Sequence, residues 1–256
     1  MLTATRRQDL ILQKLRADGH VAVADLSTAL DVSEVTIRKD LRMLEERSLL
    51  YRTHGGAHLR NPFAPDRPVS EKATQHVDEK RRIGTAAAAH VQPGDALILG
   101  SGTTMVEIAR RLAETPKTGL TVVTSAANVV LELTPLPDAE VILLGGVVRP
   151  SSASVVGAFA EAMLRDVTCD TLFLGVDGLD VEHGLTTSNA QEAMLNRAML
   201  QAAHRTIVVT DASKVGRRGF HRICGLDAID RLITDTALDE ATAAALTEQG
   251  VEVERV

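Results

Sequence analysis

Apolar residues recur at helical spacing twice near the start of the chain, once before Gly19 and once before Asp31. This spacing predicts two amphipathic helices. The first is expected to begin at a capping box formed by Thr5 and Gln8, and to end at Gly19, a residue type that commonly closes helices. The second would begin at Ala22, which is a poor capping residue.

A third helix is predicted to begin at Ser33, whose hydroxyl can accept hydrogen bonds from backbone amides two or three residues later. Apolar side chains of this helix fall on one face at about 100° per residue, so that face must pack inward. The opposite face suits a DNA major groove, with cations reaching phosphates or guanine edges and Val35 touching a thymine methyl group. The predicted DNA-reading residues of this helix are Ser33, Val35, Thr36, Arg38, Lys39 and Arg42.

Residues 49–52 and 57–59 are predicted to be two strands joined by a turn at Gly55 and Gly56. The ribbon would form a wing that carries Arg52, His54 and His58 to the phosphate backbone or the minor groove. Residues 1–59 are therefore predicted to form a winged helix-turn-helix DNA-binding domain. The alternative is a winged helix that contacts another protein.

Residues 60–78 contain three prolines and many polar residues without a sustained period, which predicts a partly extended linker. An Ala-rich helix is expected over 80–91. Short apolar runs then alternate with helical segments, which predicts an α/β domain, 79–256, with a parallel sheet covered by helices. The predicted strands are 96–99, 120–124, 141–144, 171–175, 206–210, 231–234 and 251–253.

The first strand of that domain is followed by a Gly-Ser-Gly-Thr-Thr loop and a helix. Glycines allow backbone amides to approach an anion, hydroxyls can donate to it, and the helix N-terminus adds partial positive charge. The motif is neither a dinucleotide fingerprint, which would need glycine at Met105, nor a P-loop, and an ordinary turn is the alternative. The predicted phosphate-binding residues are Ser101, Gly102, Thr103 and Thr104.

Three more polar clusters follow predicted strands, where α/β sheets bind ligands. Arg149 or Lys214 would complete a phosphate clamp, and Asp177 would accept hydrogen bonds from sugar hydroxyls. Each residue alone also fits an ordinary surface or turn position. Their occurrence at successive strand ends favours a binding site.

The formal net charge of −6 comes from the second part of the chain, because residues 1–70 carry +2 and residues 71–256 carry −8. DNA binding must therefore rest on local clusters of cations. Aromatic residues make up only 2% of the chain, which argues against base stacking on aromatic platforms, the usual way of binding single strands.

No apolar run approaches the roughly 20 residues that cross a bilayer, and the first residues lack a signal-peptide apolar core. We therefore expect a cytoplasmic protein without a membrane partner. Cys169 and Cys224 lie far apart without a neighbouring Cys or His, which predicts buried thiols and no zinc site or other cofactor.

The segment 32–57, VSEVTIRKDLRMLEERSLLYRTHGGA, resembles the signature of the DeoR/GlpR family of bacterial transcription regulators. The resemblance runs from Arg6 to Ala57 and again over about 80–235. It implies a sensor domain similar in fold to ribose-5-phosphate isomerase, which would bind a phosphorylated sugar or related metabolite. The loop at 101–104 would then hold phosphate, while Asp177 and Lys214 would contact the rest of the ligand.

Two positions depart from the family pattern. Gly100 stands where the family usually has Asp, and Ser125-Ala126 stands where it usually has Asn-Ser. Both changes remove groups that could hydrogen-bond a hydroxylated ligand, so the resemblance does not identify a particular sugar.

The sequence thus predicts a regulator, in particular a repressor of carbohydrate-related genes, whose binding to double-stranded operator DNA responds to a phosphorylated effector. Because readers of repeated sites are symmetric oligomers, a homodimer or homotetramer is expected. The alternative function is a sugar-phosphate isomerase, which needs a general base, with Asp177, Asp180 and Glu192 as candidates. The DNA-binding domain argues against it.

Overall fold

The computed structural model of the chain describes residues 3–46, 49–53, 55–59 and 66–256. The chain divides into two compact units, Met1–Pro62 and Phe63–Val256. Over the described residues, no helix combines the length and the apolar character needed to cross a membrane.

Within its described residues, the N-terminal unit contains three helices and a three-stranded antiparallel sheet of order β1-β3-β2. The predicted helices and ribbon are confirmed, and β1 was not predicted. A three-residue strand between two helices has no period of its own, and its pairing with β3 defines it. The elements are α1 Ala4–Asp18, β1 His20–Ala22, α2 Val23–Leu30, α3 Glu34–Glu46, β2 Leu50–Arg52 and β3 Gly56–Leu59.

The ends of α1 and α2 follow from local capping chemistry. Thr3 caps α1 by accepting a hydrogen bond from the Arg6 amide at 3.4 Å, so the predicted cap at Thr5 is wrong and Thr5 lies in the first turn. Gly19 ends α1 in the left-handed conformation with φ 76°, as a glycine can without strain. Ala22 precedes α2 and makes no side-chain capping bond, as predicted.

The inward face of α3 combines an apolar core with one buried carboxylate. Ile37, Leu41 and Leu44 are fully buried against α1 and α2, as the helical spacing predicts. Between them lies Asp40, which accepts hydrogen bonds from Arg7 at 2.5 and 3.2 Å. Gln8 donates to the same carboxylate at 3.2 Å. This buried clamp joins α3 to α1.

The second unit contains seven helices and twelve strands within its described residues, and two 3-10 turns at Ala212–Lys214 and Leu226–Ala228. The helices are α4 Val69–Ala73, α5 Val77–Ala89, α6 Thr103–Glu114, α7 Ala127–Leu133, α8 Ala158–Leu164, α9 Ala190–Gln201 and α10 Glu240–Glu248. The strands are β4 Ala96–Leu99, β5 Thr121–Thr124, β6 Glu140–Leu143, β7 Val147–Arg149, β8 Ser154–Val156, β9 Cys169–Leu174, β10 Gly178–Asp180, β11 Gly184–Thr187, β12 Ala203–Val209, β13 His221–Cys224, β14 Arg231–Thr234 and β15 Glu252–Arg255.

Seven of these strands form a parallel sheet of order β15-β14-β12-β9-β4-β5-β6. Each predicted strand corresponds to one of them, so the α/β fold class is confirmed. Alternate residues of β4 enter different cores, Ile98 on one face of the sheet and Leu97 and Leu99 on the other. The sheet is therefore buried on both sides, which explains why its strands appear as continuous apolar runs.

The order of the strands reverses at the centre of this sheet. From β4 the chain proceeds outward through β5 and β6, whereas β9, β12, β14 and β15 follow on the opposite side. The loops after β4 and β9 consequently leave the sheet in different directions. Ligand sites of open α/β sheets lie in the crevice that such a reversal creates.

Three features of this unit were not predicted. These are the β7–β8 hairpin, the antiparallel sheet of order β10-β11-β13, and helix α4. Helix α4 lies within 60–78, where the sequence predicts a partly extended linker. The missed strands have only three or four residues, and their partners define them.

We predict that Asp40→Ala lowers the free energy of unfolding of the N-terminal unit by about 3 kcal/mol, because it removes the buried counter-ion of Arg7. Hydrogen exchange of α1 and α3 in urea measures this change. Asp18→Ala is the matched control, because Asp18 forms an exposed pair with Lys14 at 3.9 Å. This substitution should cost less than about 0.5 kcal/mol. Equal effects of the two substitutions would contradict the clamp.

Candidate functional site

The outward face of α3 presents most of the predicted DNA-reading residues. Ser33 caps the helix by accepting a hydrogen bond from the Thr36 amide at 3.3 Å. Val35 is 77% exposed, although an apolar side chain gains nothing from contact with water. Lys39 and Arg42 are exposed on the same helix. Two cations and an apolar group therefore stand free of the core, as a groove-binding surface requires.

Two predicted arginines already have carboxylate partners. Arg38 Nη2 lies 3.0 Å from Glu34 Oε2 one turn earlier, and both side chains are about half exposed. Arg52 of the wing pairs with Glu45 of α3, which accepts from the backbone amide of Arg52 at 2.9 Å and from its Nε at 2.8 Å. Exposed pairs of this kind contribute little stability, so a DNA phosphate can replace the carboxylate. His54 lies outside the described residues.

A cleft of about 730 Å³, part of it open to solvent, lies where the strand order reverses. The loop after β4 and the first turn of α6 supply the four predicted phosphate-binding residues, and the segments after β9 and β12 supply Asp177 and Lys214. Lys72 of α4 and Lys80 of α5 complete the cationic part of the lining. The structure thus brings six of the seven predicted ligand-binding residues to one cavity. The six are Ser101, Gly102, Thr103, Thr104, Asp177 and Lys214.

Asp177 is the most densely hydrogen-bonded acid of the cleft. Lys72 Nζ donates to its Oδ1 at 2.7 Å. Its Oδ2 accepts from Thr187 Oγ1 at 3.2 Å and from the Ser188 amide and hydroxyl at 3.0 and 2.8 Å. Burial acts to raise the pKa of Asp177, but Lys72 and Ser188 outweigh it and hold that pKa below its ordinary value. The carboxylate therefore remains charged.

Two lysines of the cleft are held in surroundings that disfavour their charge. Burial lowers the pKa of Lys80 and of Lys214, and Asp211 partly offsets the effect on both. Lys80 Nζ donates to the carbonyl oxygens of Lys72 and Gln75, each at 2.6 Å. An anion in the cleft would favour the charged form of both lysines.

Arg149, the seventh predicted residue, does not line the cleft. Its guanidinium lies 3.4 Å from Glu192 Oε2 and also pairs with Asp66. Glu192 itself lines the cleft and accepts from the hydroxyls of Ser101 at 3.1 Å and Thr187 at 2.9 Å. The structure therefore gives Arg149 a supporting position behind Glu192 rather than a place in a phosphate clamp.

Comparison with known proteins identifies both units. Residues 7–63 match the DeoR-like helix-turn-helix domain, and residues 75–236 match the DeoR C-terminal sensor domain. The chain belongs to the DeoR family of transcriptional regulators. It is 39% identical to a putative aga operon transcriptional repressor of Escherichia coli O157:H7, over 97% of this chain and 93% of that protein.

Other relatives also match over nearly their whole length. The transcriptional regulator GlpR of Haloferax volcanii is 37% identical, over 99% of this chain and 98% of that protein. The transcriptional repressor GlcR of Bacillus subtilis is 32% identical, over 95% of this chain and 93% of that protein. These proteins place the chain among DNA-binding regulators of the DeoR family, as its sequence signature predicts.

Solved structures resemble this chain more distantly. Ribose-5-phosphate isomerase A of Neisseria gonorrhoeae matches with a TM-score of 0.40 and 16% identity, over 54% of this chain and 53% of that one. A probable sor operon regulator of Shigella flexneri matches with a TM-score of 0.44 and 11% identity, over 67% of this chain and 90% of that one.

The two departures from the DeoR pattern lie in tightly packed surroundings. The Gly100 amide donates to the Phe173 carbonyl oxygen at 3.0 Å, and a Cβ at Gly100 would lie 3.3 Å from that oxygen. Ser125 and Ala126 are buried beside β8, where the Val155 amide donates to the Ser125 carbonyl oxygen at 2.8 Å. At Gly100 a larger side chain would need its neighbours to shift by a few tenths of an ångström.

The cleft residues that sequence reasoning missed as ligand-binding candidates include Lys72, Lys80 and Glu192. Lys72 lies between the two DeoR family matches, in a polar stretch that carries no recognisable motif. Lys80 lies in an Ala-rich helix, and Glu192 was considered only as a general base for the isomerase alternative. No group of three or more His, Cys, Asp or Glu residues is arranged for a metal ion in the described part of the chain.

We predict that Asp177→Asn lowers the free energy of unfolding of the second unit at neutral pH, and that this decrease is smaller in acid. Because the folded pKa of Asp177 lies below its ordinary value, its stabilising contribution is present above that ordinary value and is lost as the pH falls through the lowered pKa. Urea unfolding at about pH 7 and about pH 3 measures the difference. Asp138→Asn, at an exposed turn, is the control, and a pH-independent loss at Asp177 would contradict the assignment.

Proposed function

We propose that this DeoR-family regulator is a repressor whose affinity for operator DNA is set by a phosphorylated sugar or related metabolite bound in the cleft. One observation carries the proposal. The loop at 101–104, at the N-terminus of α6, opens into the same cavity as the side chains of Lys72, Lys80 and Lys214. Two of the relatives are named as repressors, which supports the sign of the regulation.

The cleft offers different chemistry to the two ends of such a ligand. Backbone amides, hydroxyls and the dipole of α6 favour a phosphate at the loop, and the lysines supply the balancing charge. Asp177 and Glu192 are carboxylates that can accept hydrogen bonds from sugar hydroxyls. A molecule with one anionic end and several hydroxyl groups satisfies both.

Effector binding would act on DNA affinity through linkage between the two sites. In a homodimer or homotetramer, paired α3 helices match repeated half-sites, and a ligand that favours another arrangement weakens that match. A coupling free energy of about 1 to 3 kcal/mol is typical of such systems. With DNA as its partner, the protein would act in the cytoplasm.

We propose that the cleft binds its ligand without converting it. An isomerase needs a general base whose pKa is near the working pH. The pKa of Asp177 lies below its ordinary value, because the Lys72 and Ser188 contacts outweigh the opposing effect of burial. Such a carboxylate is a weak base, which favours ligand recognition over proton transfer.

For the DNA surface, we predict that Arg38→Ala costs about 1 to 3 kcal/mol on the preferred sequence and relaxes base discrimination. Lys39→Ala and Arg42→Ala should weaken binding to all sequences. Each lost phosphate contact should also reduce the slope of log affinity against log salt concentration by about one. Binding is measured by fluorescence anisotropy on DNA that the wild-type chain selects from a random pool. Arg81→Ala, an exposed cation of the second unit, is the control. Unchanged binding in the triple variant would refute the assignment of α3.

For the cleft, we predict that at least one phosphorylated sugar in a panel changes operator affinity by about 5- to 150-fold. The Ser101→Ala/Thr103→Ala variant should need about tenfold more of that sugar, because phosphate loses two hydroxyl donors. Thr118→Ala, at an exposed position, is the control. An unresponsive wild-type chain would contradict the proposal, and NMR-detected conversion of a sugar at enzyme-like rates would favour an isomerase.

A further inference from the structure

The segment 66–76, here called the connector, follows the DNA-binding unit in sequence and belongs to the second compact unit. It contains α4, and it is fastened to the rim of the cleft by backbone contacts. The Val69 amide donates to the Ser151 carbonyl oxygen at 2.6 Å. The carbonyl oxygens of Lys72 and Gln75 accept from Lys80 Nζ. The connector is thus part of the wall of the cleft.

Two ion pairs link the connector to Asp177 and Glu192, two of the carboxylates that line the cavity. Lys72 Nζ lies 2.7 Å from Asp177 Oδ1. At the other end of the connector, Asp66 pairs with Arg149, and Arg149 also contacts Glu192 at 3.4 Å. Both carboxylates proposed to recognise ligand hydroxyls are therefore in contact with this segment, directly or through one arginine.

The Lys72–Asp177 pair is built so that one partner can leave. Three donors from Thr187 and Ser188 hold Asp177 Oδ2, and none of them involves the connector. Among the described residues, Oδ1 accepts a hydrogen bond from Lys72 alone. The Lys72 side chain is about one-quarter exposed and reaches the cavity from a five-residue helix. Lys72 can therefore move while Asp177 stays in place.

A phosphorylated sugar would compete for both partners of this pair. Its anionic group competes with Asp177 for the Lys72 ammonium, because a phosphate carries more charge than a carboxylate. Its hydroxyls compete with Lys72 for Asp177 Oδ1 as hydrogen-bond donors. After this exchange of partners, Lys72 pairs with the anionic group and Asp177 accepts from the ligand hydroxyls. No buried charge is left without a partner, so the penalty for an unpaired buried charge is avoided.

We propose that Lys72 contacts the effector directly, and that its transfer from Asp177 to the effector's anionic group couples occupation of the cleft to the connector. This inference rests on the proposed function, since it assigns a further residue and a route of regulation to the same cleft. Lys72 lies outside both family matches, so neither domain accounts for it.

The test uses the full chain and four probes: ribose 5-phosphate, glucose 6-phosphate, glycerol 3-phosphate and inorganic phosphate. Isothermal titration gives the affinity of wild type and of Lys72→Met for the probe that wild type binds best. We expect a loss of about tenfold or more in Lys72→Met, because a charge-assisted hydrogen bond is removed. Lys72→Arg should retain part of the affinity, since it keeps the charge.

Arg67→Gln is the matched control for this test. It removes one positive charge from the same segment, where Arg67 pairs with Glu71 at 3.2 Å and does not line the cleft. We expect its probe affinity to stay within about twofold of wild type. The release of selected operator DNA by the probe should be lost in Lys72→Met and preserved in Arg67→Gln.

Hydrogen exchange of the wild-type chain tests the same inference without a substitution. The probe should change the exchange of amides over 66–76 as well as over 101–104. If wild type binds no probe, the proposed function fails, and the inference fails with it. If the probe protects only 101–104, or Lys72→Met binds and responds like Arg67→Gln, the proposed function stands and the role of Lys72 is refuted.

Discussion

The parallel order of the seven-stranded sheet is the constraint on which the cleft depends. Parallel strands end at the same edge, so the loops after β4, β9 and β12 meet although they are far apart in sequence. The reversal between β4 and β9 separates two of those loops and opens the crevice between them. The polar residues that follow each apolar strand thereby become the lining of one cavity.

Once the cavity exists, its chemistry is governed by the cost of burying charge. Burial disfavours the charged forms of Lys80 and Lys214, and Asp177 keeps its charge because Lys72 and Ser188 donate to it. The cationic and acidic groups thus satisfy one another within a space that also admits a ligand. A site of this kind is suited to exchange of partners, because an entering anion can pair with the lysine while the hydroxyls of the ligand donate to the carboxylate, so that no buried charge is left without a partner.

The Arg7–Asp40 pair of the N-terminal unit shows the contrasting use of a buried charge. It lies beneath α3, closed off from solvent, and it fixes one face of that helix against α1. Lys39, the neighbour of Asp40 in sequence, is exposed on another side. One rigid helix therefore separates the residues that position it from the cations available to DNA.

Much of this architecture follows from local sequence. Helical spacing of apolar residues predicts the three N-terminal helices, because each helix buries one face. Continuous apolar runs predict all seven parallel strands, because the sheet is buried on both faces. The glycines and hydroxyls after β4 also predict an anion-binding loop, since that chemistry is local. The signature from Arg6 to Ala57 predicts the family, which the comparisons confirm.

The tertiary structure alone decided the short strands and the charge pairs of the cleft, because each depends on a partner outside its own stretch of sequence. Strands β1, β7 and β10 have three residues each and no period, so only their pairing defines them. Arg149 turned out to support Glu192, a residue 43 positions away in sequence. Lys72, which the sequence places in a linker, reaches Asp177 across 105 positions. Local patterns record which residues are buried, whereas the pairing of charges depends on which chain segments the sheet brings together.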